Sequence, residues 1–88
     1  MQVIYLSSFL KDLKKVDDKV LLKKVKTTLL QIKEVSIHTE IKQLIKLKGH
    51  PAAYRIRIGN YRMGLFIDAD VVTIARFVKR NDIYKLFP

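Results

Sequence analysis

The stretch YRIRIGNYRMG, Tyr54 to Gly64, leaves the backbone very few choices. Apolar and basic residues alternate strictly from Tyr54 to Ile58, Gly59-Asn60 follows, and a second alternating run begins at Tyr61. This is the signature of two strands joined by a two-residue turn. With Gly59-Asn60 as the whole loop, Ile58 pairs with Tyr61, Arg57 pairs with Arg62, and Arg55 lies across from Gly64. One face of the hairpin then carries Tyr54, Ile56, Ile58, Tyr61, Met63, Leu65 and Ile67, and it needs an apolar cover. The opposite face carries Arg55, Arg57, Arg62, Gly64 and Phe66. Like charges directly opposite in a sheet destabilise it by about 0.2–1 kcal/mol. Three clustered guanidiniums therefore call for an anion or some other compensation.

The cover comes from the first half of the chain. Val3, Ile4, Tyr5 and Leu6 form a short apolar run suited to a buried strand, and Ser7 or Ser8 offers a hydroxyl to cap a following helix. In that helix Phe9, Leu10, Leu13 and Val16 fall at helical spacing, leaving Lys11, Asp12, Lys14 and Lys15 for solvent. Asp17-Asp18 breaks the pattern and supplies a cap for a second helix running to about Val35. Its apolar stripe is Leu21, Leu22, Val25, Leu29 and Ile32. After the polar connection SIHTEIKQ, LIKLKG reads as a short strand ending at Gly49. VVTIARFV, beyond the turn at Asp68-Ala69-Asp70, is the most strand-like window in the chain. A two-residue Ala69-Asp70 loop places Phe77 beside Arg62, and a three-residue loop places Arg76 there. Asn81 or Asp82 can cap a last turn carrying Tyr84.

Composition narrows the function. Cysteine is absent, which excludes a disulfide framework, a thiolate nucleophile and a cysteine-type zinc site. Lys and Arg outnumber Asp and Glu by 18 to 8, a formal net charge of +10. A balance this basic points to nucleic acid or to an acidic protein partner. The N-terminus has no basic leader and meets Lys11 early, and no apolar run approaches the ~18 residues of a membrane span. The expectation is a soluble, cytoplasmic protein with no membrane association.

The arginines are the main chemical candidate. Guanidiniums bind phosphate through paired, charge-assisted hydrogen bonds and stabilise charge that develops on phosphoryl oxygens. The alternative is a solvated outer sheet face. Lys79-Arg80 and Tyr84, at the far end of the last strand, strengthen the phosphate reading, because a phenol beside arginines can stack on a base or exchange a proton. The lysines between residues 11 and 26 read as solvated helix faces that together add salt-dependent affinity for a phosphate backbone. His38 and His50 lack metal-ligand spacing, although His50 precedes the arginine strand and is a candidate base. Asp68 and Asp70 flank a turn. Ser7 and Ser8 lack any triad context, and no phosphate-binding glycine loop is present.

Through IKLKGHPAAYRIRIGNYRMGLFI and then ARFVKRNDIY, the chain resembles the RelE/ParE toxin superfamily of bacterial toxin–antitoxin modules. The resemblance covers nearly all of the sequence. It implies an α+β fold in which an N-terminal strand and a helical hairpin precede an antiparallel sheet, β-α-α-β-β-β, as one RelE-like toxin domain over residues 1–88. The basic residues and KRNDIY are more similar to the RelE branch, whose members cut messenger RNA in the ribosomal A site. On that basis the resemblance implies a catalytic set of Arg55, Arg57, Arg62, Arg80 and Tyr84. The implied reaction is attack of a 2′-hydroxyl on its own 3′-phosphate, with no metal and no small-molecule cofactor. The implied partners are a cognate antitoxin protein, the ribosome and mRNA. Some family members carry lysine where Arg57 stands. Arginine stays protonated and does not act as a base, so Tyr84, His50 or electrostatics alone must serve. The alternatives are a ParE-like gyrase poison and a non-catalytic basic RNA-binding domain.

Overall fold

The Tyr54–Gly64 hairpin folds with the register its turn dictates. In the computed structural model, which describes residues 1–88, Ile58 pairs with Tyr61, Arg57 with Arg62 and Arg55 with Gly64. Gly59 takes a φ of 58° at the first turn position, where a tight hairpin needs a positive value. The elements in chain order are β1 (Gln2–Tyr5), α1 (Ser7–Lys14), α2 (Lys19–Glu34), a 3₁₀ turn (His38–Glu40), β2 (Leu44–Lys46), β3 (Ala53–Ile58), β4 (Tyr61–Asp68), β5 (Val71–Lys79) and α3 (Ile83–Leu86). The fold is α+β, with strand order β1-β5-β4-β3-β2 in one five-stranded sheet. The strands from β2 to β5 are antiparallel neighbours in sequence order. The first strand departs from this pattern: β1 lies parallel to β5 at the edge.

The apolar hairpin face meets the helices as expected. Phe9 of α1 and Leu21, Val25 and Ile32 of α2 join Ile56, Ile58, Met63, Leu65, Val72, Ile74 and Phe77 in the main core. Asp18 caps α2, its Oδ1 accepting from the N–H groups of Val20 and Leu21 at 2.9 and 3.1 Å.

Several local expectations give way to tertiary contacts. The first strand is not buried: Ile4 and Tyr5 remain 44% and 37% exposed, because β1 is an edge strand covered on one side only. The serines do not cap α1. Leu6 holds the N-cap position, and the Ser8 hydroxyl instead donates to the Ala75 carbonyl at 2.6 Å. In α1 the predicted faces exchange two residues, Leu10 being exposed and Asp12 buried, because Asp12 pairs with Arg76 on β5. The short strand stops at Lys46 and does not reach Gly49. Asp82 precedes α3 without a side-chain cap, and its carbonyl accepts from the Lys85 and Leu86 N–H groups.

Neither expected register of the last strand holds. The Ala69-Asp70 turn is the two-residue kind, with Asp68 opposite Val71. A β-bulge opposite Gly64 and Leu65 then leaves Ala75 unpaired, and Arg62 faces Val78 in place of Phe77 or Arg76. A one-residue slip exchanges the faces of all later side chains. Phe77 thereby enters the main core, where its ring stacks on Tyr61 with centroids 4.9 Å apart.

Candidate functional site

The second sheet face is basic at one end and roofed at the other. Ile83 and Phe87 pack onto Ala53 and Ala75, with Leu47, Phe66 and Val78 around them, forming a small second core. A four-residue helix is unstable alone. Burying an Ile and a Phe contributes about 1.5–3 kcal/mol each, which holds α3 on the sheet. Gly64 makes the close approach possible, since a Cβ there would lie 2.7 Å from the Phe87 ring. The roof leaves Tyr84 pointing outward, 66% exposed.

Beyond the roof lie the arginines. Arg55 is half-buried, Arg57 and Arg80 are exposed, and Arg62 is buried. Arg80 reaches this end because its backbone N–H donates to the Asn60 carbonyl at 2.9 Å, extending the β4–β5 ladder to the hairpin turn. The Arg62 guanidinium folds over the same turn, Nη1 donating to the carbonyls of Gly59 and Tyr61 at 3.1 and 2.9 Å. Burial, then the charges of Arg55, Arg57 and Arg80, lower the Arg62 pKa below the usual guanidinium value, while Tyr84 acts in the opposite sense. The charges of Arg55, Arg57, Arg80 and Tyr84 thus all act on Arg62, but Arg57 also borders a separate groove against α2 with Val20, Lys23, Lys24, Thr27 and Thr28.

A cleft of about 480 Å³ opens beside them, lined by Ile45, Lys46, Leu47, Lys48, Arg55, Tyr84, Phe87 and Pro88. Its lysines escaped the reading of the sequence, although LIKLKG, which alternates, carried the signal. Arg76, which the strand register had brought into question, stands apart: its Nε and Nη2 donate to Asp12 at 2.7 and 3.1 Å. His50 is committed to its own loop, Nδ1 accepting from the Ala52 N–H at 3.1 Å and the ring tilted against Phe66. No helix is long and apolar enough to cross a membrane.

Fold and site together define a small α+β protein whose sheet carries arginines without carboxylate partners near an exposed tyrosine. No family model matches the chain. It is 34% identical to Toxin RelE3 of Methanocaldococcus jannaschii in an alignment covering all of both chains, and it belongs to the RelE toxin family. A chain of a RelB–RelE antitoxin–toxin complex from Methanococcus jannaschii superposes with a TM-score of 0.80 at 31% identity, covering 97% of this chain and 99% of that one. An archaeal RelE–RelB complex from Pyrococcus horikoshii gives 0.72 at 22% identity, covering 90% and 93%. The YoeB dimer of Staphylococcus aureus gives 0.70 at 24% identity, covering 90% and 94%. These last two share the fold.

Proposed function

We propose that this RelE-family toxin is a ribosome-dependent endoribonuclease that cuts mRNA in the A site and is held in check by a cognate antitoxin. The observation that carries the reading is the gathering of Arg57 opposite Arg62, Arg55 two residues along the same strand and Arg80 at the same hairpin turn, with an exposed Tyr84 beside them; burial first, and then these charges, lower the Arg62 pKa. Charges of one sign gathered this closely are relieved by a multiply charged anion, and a phosphodiester under attack carries more negative charge than one at rest.

In this reading the 2′-oxygen forms a bond to its neighbouring phosphorus as the bond to the 5′-oxygen breaks, leaving a 2′,3′-cyclic phosphate and a 5′-hydroxyl. Arg62, anchored through Nη1, presents its remaining nitrogens to the phosphoryl oxygens. Arg55 and Arg57 orient the phosphate, and Arg80 favours departure of the 5′-oxygen. Arg57 stays protonated and cannot take the 2′ proton, and His50 is engaged by its loop. Tyr84, at the cleft rim, is the group left to stack on the nucleotide or to relay the proton, its phenol taking the proton of the 2′-hydroxyl while giving its own to the departing 5′-oxygen. An antitoxin is supported by the RelB–RelE complexes among the similar structures and by the net charge of +10, which an acidic partner would offset.

The test is to induce the protein in cells and map message ends by primer extension, with the reporter message translated or untranslated. Cuts confined to translated codons and lost in Arg80→Ala and Tyr84→Ala support the reading. Intact messages with double-strand DNA breaks would replace it with gyrase poisoning. Salt-sensitive RNA binding without cleavage would leave a binding domain.

A further inference from the structure

Where β1 ends, the edge of β5 loses its strand partner. The last ladder bond on that side is the Leu6 N–H donating to the Ile74 carbonyl at 3.0 Å. From there α1 runs alongside β5, and its side chains take over. The Ser8 hydroxyl donates to the Ala75 carbonyl at 2.6 Å, and Asp12 Oδ2 accepts from the Phe77 N–H at 2.9 Å. The spacing suits this: four residues of helix advance about 6.0 Å, and two residues of strand about 6.6 Å. Ala75 is the bulge residue with no partner on β4, and its carbonyl faces the same edge as that of Ile74. Asp12 also binds the Arg76 guanidinium through both oxygens.

We propose that α1 acts as a side-chain strand that holds the β5 bulge open, and that Asp12 is a positioning residue for Arg80 and Tyr84. The inference rests on the reading of those two residues as part of the cleavage site. Without the bulge, Phe77 faces Arg62 and the chain beyond it moves by one residue, so the Arg80 N–H no longer meets the Asn60 carbonyl. Ser8 and Asp12 satisfy the two backbone groups that the bulge turns toward this edge, and they fix its place on the strand. Arg76 is the one strand arginine whose charge is spent inside the protein. It serves the bulge and leaves the phosphate to the others.

The experiment compares the full-length wild type with Asp12→Ala, Asp12→Asn and Ser8→Ala by amide hydrogen exchange and by single-turnover cleavage on programmed ribosomes. Asp12→Ala is expected to lower protection of the Phe77 and Arg80 amides at least tenfold while the β3 amides keep theirs. It is expected to slow cleavage tenfold or more with binding to the ribosome changed less than threefold. Asp12→Asn, which retains an acceptor for the Phe77 N–H, recovers most of both. In a mutant cycle, Asp12→Ala adds less than threefold to a background already carrying Arg80→Ala and Tyr84→Ala but its full factor to Arg55→Ala. Unchanged Arg80 protection, or equal losses in both backgrounds, overturns the proposal. If Asp12→Ala does not fold, Ser8→Ala decides, with a smaller loss confined to the same amides expected and uniform protection refuting it. A wild type that exchanges as described but does not cleave would sink the function proposed above and leave the role of α1 standing.

Discussion

Replacing Gly64 by alanine tests how α3 is held on the sheet. The added Cβ would sit 2.7 Å from Cγ and Cδ2 of Phe87 and 3.0 Å from Cδ1. Carbon atoms rest about 3.5–4.0 Å apart, so the overlap is about 1 Å and one partner must move. Gly64 is central in a five-stranded sheet, whereas Phe87 follows a four-residue helix, so the ring moves. Lifting it loosens its packing on Ala53, Ala75 and Ile83. Overpacking of this kind costs about 1–3 kcal/mol. In a chain of this size each kcal/mol lowers the melting temperature by about 4–8 °C, so a mid-range cost of about 2 kcal/mol corresponds to about 8–16 °C. Thermal unfolding followed by circular dichroism reads the shift. A double-mutant cycle with Phe87→Ala isolates its cause: once the ring is gone, Gly64→Ala costs nothing further. Cleavage falls with Gly64→Ala as well, because Tyr84 rides on the displaced helix. Melting like the wild type, or additive costs in the double mutant, would refute this account of the roof.

The remaining predictions concern charge and backbone. Arg57→Gln removes one half of the Arg57–Arg62 pair and raises stability by about 0.2–1 kcal/mol at low salt, while cleavage falls; denaturant unfolding beside the primer-extension assay shows both. Pyrophosphate raises the melting temperature more than chloride at equal ionic strength, reflecting a stabilisation of about 1.4 kcal/mol at ten times its dissociation constant, and the rise shrinks in Arg62→Gln. Arg62 is a base whose pKa folding lowers, so its effect on stability changes only as pH climbs through that folded value. Its contribution is accordingly flat from pH 6 to 8, and a stability titration of Arg62→Gln against the wild type checks this. Asp18→Ala removes both acceptor bonds at the start of α2 and costs about 1 kcal/mol, read by chemical denaturation.

Much of the candidate site's layout was legible because it is local. A two-residue turn with glycine at its first position sets the pairing of every residue in the hairpin, so the opposition of Arg57 and Arg62 follows from eleven consecutive letters, Tyr54 to Gly64. The helical spacings located α1 and α2, and Asp18 announced its cap. The errors fall where a residue's role depends on a partner far along the chain. Asp12 has the spacing of a solvated position, yet it is buried by an arginine 64 residues away. The Ser8 hydroxyl has the position of a cap but is claimed by Ala75, 67 residues away.

The sequence by itself determined the helices, the hairpin and its basic and apolar faces, because turn chemistry and periodicity act within a few residues. Only the tertiary structure decided that β1 runs parallel to β5, that a bulge at Ala75 selects Phe77 for the core, and that Phe87 closes over Gly64. Each of these arises where one element ends and leaves backbone groups or apolar surface unsatisfied, and the partner that satisfies them comes from an element brought there by folding.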